Sequence, residues 1–245
     1  MRGDSDTPTT DVDTFLRDAR PLDTYLDDVL AAMTADGHEI EDTLVAISAC
    51  RDELVAPLPT GVTARWGHPF VLGGLGGLPA VGPTGWATAL GHVPGAGNGG
   101  TFLVFGMSHV GIDPSGTFGQ SLRLGQSAPS PTCGALIATR AALAGPDGAA
   151  SCPFDDHEIC RLWDTVHARH ASELPDIAAL TTSVGVAIDD AIFDIIDRIE
   201  PRTGGEVTVV VCTGVHVHLP DDDERIIPHR STIITPDGTT RRLAI

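Results

Sequence analysis

Apolar residues recur at three- and four-residue spacing from Asp11 to Asp36. Phe15, Leu22, Tyr25, Leu26, Val29, Leu30 and Met33 share one side of a helical repeat, with Asp and Thr on the other. The spacing predicts one or two amphipathic helices with a solvated acidic face, an N-terminal helical segment over residues 11–40. Residues 1–10 before it are polar and are expected to form a disordered tail. At Thr43–Cys50 the pattern changes to a short apolar run closed by a polar cluster. This predicts a buried strand whose C-terminal end presents Cys50 and Asp52. Thr101–Met107 follows the turn sequence PGAGNGG and predicts a second strand that delivers His109 at its end. Asp113–Ser130 reads as a loop or hairpin through DPSG, and Cys133–Leu143 as an Ala-rich helix with Pro131 and Thr132 near its start. Asp155–Ser172 and Pro175–Ile199 carry helical patterns. Glu206–Cys212, with VTVVV, predicts another strand. Thr232–Ile234 and Arg241–Ile245 predict a terminal hairpin across PDG. Strands alternating with helices imply an α/β fold, a mainly parallel sheet flanked by helices. No boundary is visible after residue 40, so residues 11–245 are expected to form a single domain.

Composition narrows the partners. A net charge of −18 argues against nucleic acid and against anionic membrane surfaces, because both need basic patches. The chain has no Lys, and its 15 basic residues are all Arg. The N-terminus is acidic and lacks the apolar core of a secretory signal. Gly and Pro interrupt every long uncharged run, so no membrane span is expected. Five Cys, an odd number without a signal, fit reduced thiols and a cytoplasmic location better than a disulfide framework.

The candidate chemistry gathers around one uncharged stretch. From Trp66 to Ile112 there is no Asp, Glu, Lys or Arg. The Gly-rich runs within it lack the Gly-Lys-Ser/Thr of a phosphate loop, and Gly73–Gly77 reads instead as a close backbone approach. Ser121, Ser127 and Ser130 have no nucleophile-elbow context. His109 lies in the stretch, with Cys50 before it and Cys133 after it. Two thiolates and one imidazole would leave one position of a tetrahedral zinc open, the arrangement of a catalytic site. A buried Cys is more often a small core residue, and these separations form no local zinc signature. Position favours the metal: Cys50 and His109 follow predicted strands, and Cys133 opens a predicted helix, which stabilises a thiolate. Cys152, His157 and Cys160 fit no common zinc module and read as core or surface residues at a helix start. His216 and His218 alternate on a predicted strand. That suits a metal or a proton relay, but a polar strand face is the simpler reading. Cys212 is expected in the core.

The runs GGLGGLPAVGPTGWATALGHVP, FGMSHVGIDPSGTFG and LGQSAPSPTCGA resemble the limiting-CO2-inducible protein B/C family, and GVHVHLPDDDERIIPHR does so more weakly. That family is similar to beta-type carbonic anhydrases and is grouped with the theta class. The resemblance implies a beta-carbonic-anhydrase-like fold, Zn2+ held by Cys50, His109 and Cys133, and carbon dioxide or bicarbonate as substrate. It places the catalytic Asp at Asp52. In the beta class that Asp pairs with an Arg two positions on, where this chain has Leu54, so Arg51, Arg65 or Arg123 would have to supply the cation. Without an Arg at position 54, Asp52 is expected to lean onto the metal near neutral pH, with activity rising toward alkaline pH. The apolar stretch Val71–Trp86 is expected to line a small dry pocket, and His68 and His92 to be available for proton transfer. The resemblance also implies a homodimer or larger assembly, with the N-terminal amphipathic segment as a packing surface. Two alternatives remain open. One is a zinc hydrolase or lyase for another small electrophile, such as carbonyl sulfide or a carbamate. The other is a catalytically silent protein that binds zinc or bicarbonate.

Overall fold

The computed structural model describes residues 10–95, 99–145, 151–170, 173–199 and 206–245. The tail expected over residues 1–10 lies, apart from Thr10, outside the described residues, as do the middle residues of the turn PGAGNGG.

Three apolar runs build the centre of the sheet: β2 (Thr43–Ser48), β4 (Thr101–Gly111) and β7 (Thr208–His218). They lie side by side and parallel. Every residue of β4 and β7 is buried, which is why both read as continuous rather than alternating apolar sequences. On one side β3 (Phe70–Val71) adds a parallel strand to β2. On the other side β8 (Glu224–Ile234) runs antiparallel to β7 and carries both β1 (Arg20–Pro21) and β9 (Thr240–Arg242). The order is β1-β8-β7-β4-β2-β3, with β9 on β8. The sheet is therefore mixed, parallel through its core and antiparallel at one edge. The predicted hairpin across PDG is the tip of β8–β9. The first part of β8, ERIIPHR, escapes prediction because its charges and Pro228 suit a half-exposed strand near the sheet edge.

Helices cover both faces. On one, α2 (Leu22–Ala35) and α3 (Pro57–Trp66) pack Tyr25, Leu26, Val29, Leu58 and Val62 against Val45, Leu103, Phe105 and Val210. On the other, α4 (Pro83–Leu90), α5 (Gly134–Leu143), α6 (His157–His170) and α7 (Ile177–Asp197) pack against Ala46, Phe102, Val104, Val209 and Val211. Alternate residues of one strand thus serve opposite cores. A short α1 (Val12–Phe15) joins a third cluster around Val110, Ile112, Val215 and Val217, at the C-terminal ends of β4 and β7. α3 and α4 were not foreseen. Each begins with Pro57 or Pro83, which reads as a breaker but is tolerated in the first helical turn, where its missing N–H has no partner to lose. Among the described residues, no helix is long and apolar enough to cross a membrane.

Three expectations need correction. β4 does not end at Met107: it continues through His109 to Gly111, so His109 lies inside a strand, opposite His216. Cys152 and Cys160 are joined in a disulfide rather than free, while Cys50, Cys133 and Cys212 remain thiols. The odd count reflects one local bridge plus three buried thiols, and it no longer favours a reducing compartment. Within Val71–Trp86, expected to line a small dry pocket, Val71 is exposed and the larger apolar side chains turn into the core. Leu72, Leu78 and Trp86 are buried in the core, and Trp86 meets Phe102 edge to face. The glycines there permit close approach. A Cβ on Gly73 would lie 2.2 Å from the Ala49 carbonyl oxygen, next to Cys50. One on Gly77, which has φ +88°, would lie 2.3 Å from the Met107 carbonyl oxygen.

Two outcomes follow. Thiol titration of the unreduced, denatured protein should find three free thiols, rising to five after reduction. Gly73→Ala must push the main chain of Ala49 aside, so urea denaturation should show a loss of about 2–3 kcal/mol; a neutral result would mean that the approach is not tight.

Candidate metal centre

Cys50 follows β2, His109 sits in β4 and Cys133 caps the N-terminus of α5. All three are buried, and their ligand atoms lie within 4.8 Å of one another. Neighbouring parallel strands bring Cys50 and His109 together, since Ser48 pairs with Gly106 just before both. Cys133 comes from across the sheet in a left-handed conformation, φ 55°. A non-glycine residue adopts that region at some cost, and such strain concentrates where a side chain has to be aimed. The chain leaves β6 (Ser130–Pro131), which pairs with β5 (Gln120–Ser121), and turns sharply at Cys133 into the helix.

The two thiols pull each other's acidity in opposite directions. A hydrogen bond from Cys133, helped by His109, brings the Cys50 thiol down to about 4, against the opposing effect of its burial. The same bond to Cys50, with burial, pushes the Cys133 thiol up. On His109, Nδ1 lies 3.0 Å from His218 Nε2, while Nε2 is buried with no partner. Two thiol sulfurs and an orphaned imidazole nitrogen in one buried cluster fit a thiolate-preferring ion such as zinc, with room for a fourth ligand.

Beside the cluster stands Asp52. Its Oδ1 accepts from Leu54 N–H at 3.1 Å and its Oδ2 from Cys133 N–H at 3.2 Å. Arg123 Nη2 reaches both oxygens, at 3.2 and 3.3 Å. Burial opposes the charge, but the Leu54 N–H, His109 and Arg123 outweigh it and hold the Asp52 carboxyl below the ordinary range. Of the three candidate cations, only Arg123 meets Asp52. Arg51 makes a two-pronged pair with Glu158, and Arg65 binds Asp23 and Asp27. Arg123 lies in the segment between β5 and β6 and is anchored by Glu53, Ser130 Oγ and the Pro131 carbonyl. Of the cations offered in place of an Arg at position 54, the one that pairs with Asp52 is thus Arg123, from a distant loop.

His68 and His92 are both exposed. His92 bonds the Thr88 carbonyl and packs on Phe70, and among the described residues neither histidine has a hydrogen bond or ring contact with the thiol cluster. The histidines beside His109 are His216 and His218, which are buried rather than on a polar face. His218 Nδ1 lies 2.7 Å from Glu224 Oε2. His216 Nε2 comes within 2.6 Å of the same oxygen, but off the line of a hydrogen bond. Burial lowers the His218 pKa to about 4, and the two imidazoles bring Glu224 down to about 2 against its own burial. In the sequence this group left two traces, the period-two spacing of His216 and His218 and the weakly matching run GVHVHLPDDDERIIPHR, which also holds Glu224, but neither linked Glu224 to the histidines. A cavity of about 230 Å³ opens alongside, lined by Leu54, Ile112, Leu122, Leu219, His218 and Glu224 among others.

The sequence profile of the limiting CO2-inducible proteins B/C beta carbonic anhydrases matches residues 19–235. The chain belongs to that family. Among solved structures, a point mutant of PtLCIB4, a homolog of the limiting CO2-inducible protein LCIB, superposes with a TM-score of 0.85 at 25% identity, covering 96% of this chain and 97% of that one. PtLCIB4 itself gives 0.81 at 24%, over 96% and 98% of the two chains, and LCIB 0.75 at 22%, over 95% and 97%. These last two carry the fold alone. No curated protein matches the chain. The α/β architecture with its mixed, largely parallel sheet is thus that of the limiting CO2-inducible proteins.

Since the hydrogen bond from Cys133 is the largest influence holding Cys50 ionised, Cys133→Ala in metal-free protein should raise the Cys50 pKa from about 4 toward an ordinary thiol. Thiolate absorbance near 240 nm, followed from acid to alkaline pH, should show the Cys50 transition moving upward; an unmoved transition would show that His109 alone suffices.

Proposed function

We propose that this protein is a zinc-dependent carbonic anhydrase acting on carbon dioxide and bicarbonate, with Cys50, His109 and Cys133 as ligands. The observation that supports it is a buried cluster of two free thiols and His109, whose Nε2 has no partner, beside a carboxylate paired with an arginine. Zinc held there would supply a Lewis acid able to lower the pKa of a bound water to ~7.

The chain's own groups do the rest. Cys133 and His109 hold the Cys50 thiol well below its ordinary range, which favours the thiolate that a metal needs. Asp52 stays charged across the neutral range and is held by Arg123, Leu54 N–H and Cys133 N–H, so it acts as a fixed hydrogen-bond acceptor that orients a water or substrate oxygen. Arg123 keeps the carboxylate from becoming a further ligand. The cavity beside Leu54, Ile112 and Leu122 is the right size for a small neutral molecule. The Arg123 pair favours this reading over the two alternatives, another small electrophile or a silent binding protein, because it supplies the carboxylate–arginine pair of the beta class without an Arg at position 54. The same reading includes a homodimer or larger, but not through the N-terminal amphipathic segment expected to pack there, because Tyr25, Leu26, Val29 and Met33 are buried against the chain's own sheet; the exposed Leu122 and Leu124 beside Arg123 offer apolar surface for a second copy instead.

Metal analysis should find about one zinc per chain, and stopped-flow assays should find carbon dioxide hydration already substantial at pH 7. Arg123→Met should retain zinc yet lose about 10–100-fold in turnover, more at pH 7 than at pH 8.5. Cys50→Ser should lose the metal. Full zinc retention in Cys50→Ser would remove the ligand assignment; zinc-loaded wild type without hydration activity would turn the reading to carbonyl sulfide, tested in the same apparatus.

A further inference from the structure

Glu224 and His218 form a line that ends on His109. Glu224 Oε2 lies 2.7 Å from His218 Nδ1, and His218 Nε2 lies 3.0 Å from His109 Nδ1. An ionised carboxylate can only accept, so His218 Nδ1 carries a proton. In a neutral ring, His218 Nε2 is then the acceptor, and His109 Nδ1 must donate to it. That leaves the lone pair of His109 on Nε2, the buried nitrogen without a partner. The direction of both bonds is set by the carboxylate at the far end.

We propose that Glu224 and His218 are positioning residues: through this two-bond line they lock His109 in its Nδ1–H tautomer and aim Nε2 at Cys50 and Cys133. The inference rests on the ligand assignment above and adds what makes the imidazole ready to bind.

The same accounting decides a competing possibility. His216, His218 and Glu224 could themselves hold a metal ion, since their ligand atoms also lie within 4.8 Å of one another. A metal on His218 Nδ1 would force the proton onto His218 Nε2. His109 Nδ1 would then have to accept, and its own proton would sit on Nε2, where the thiol site needs a lone pair. One shared hydrogen bond therefore serves one metal site or the other. With Glu224 engaged by His218 as found, it serves the thiol site. His216 Nε2 lies 2.6 Å from the same carboxylate oxygen and is as deeply buried, but it has no hydrogen bond to His109, so it tests contact with Glu224 apart from the line to the thiol site.

The test is zinc affinity of the full chain, measured by competition with a chromophoric chelator, together with 15N NMR of the imidazoles in metal-free protein. His218→Leu and Glu224→Ala should each weaken zinc about 10–100-fold, as loss of an outer-shell partner does. Glu224→Gln, whose amide oxygen can still accept from His218, should recover most of that loss. His216→Gln should stay within a few-fold of wild type. Wild-type His109 should appear as the Nδ1–H tautomer, and His218→Leu should show a mixture. A merely structural role would weaken His216→Gln as much as His218→Leu and leave the tautomer unchanged. Wild-type affinity in Glu224→Ala, an Nε2–H tautomer in the wild type, or two zinc ions per chain would each overturn the proposal. Wild-type protein that binds no zinc at all would instead overturn the ligand assignment itself.

Discussion

Parallel pairing of β4 with β7 is the constraint on which the site depends. The two strands run in unbroken register from Thr101 opposite Thr208 to Gly111 opposite His218, with every residue buried. That length carries the strands past their apolar halves and into a polar end, where His109, His216 and His218 sit under cover. A buried imidazole needs a partner for its N–H, and the only economical supply at that depth is another side chain. The register provides His218, and antiparallel β8 brings Glu224 opposite it. A slip of one residue along β7 would turn both histidines to the other face.

The charge arrangement has a similar logic. A chain with 33 acidic residues and 15 arginines has few cations to spend, and most of the paired arginines brace surface elements. Arg123 differs in what it joins: it meets Asp52 and Glu53 together while its remaining donors hold Ser130 and Pro131. One side chain thus ties the loop after β2 to the segment that delivers Cys133. The glycines act on the same region from below. Close packing of Gly73 on Ala49 and of Gly77 on Met107 holds the backbones of β2 and β4 where their ends can converge.

Much of the framework was legible in the chain. The amphipathic run before residue 36, the apolar strands and the long helices are written in local periodicity, which depends on neighbours a few positions apart. The motif runs resembling the limiting-CO2-inducible proteins pointed to the family that the profile match then showed. Errors arose where local rules compete. Proline in a first turn hid α3 and α4, the strands expected to end at Met107 and Cys212 continue to Gly111 and His218, and an odd cysteine count masked a short disulfide.

What the sequence determined by itself was therefore the class of fold, the two covered faces of the sheet, and a candidate set of thiols and imidazole. Tertiary structure alone decided which groups complete them. Arg123 lies 71 residues from Asp52, and His218 lies 109 from His109. Contacts at such separations leave no period in the chain, because they are set by strand register and by where a loop folds back. The sequence could offer three arginines and several histidines as candidates. Only the packed sheet, by bringing particular backbones within hydrogen-bond reach and burying the groups between them, could choose among them.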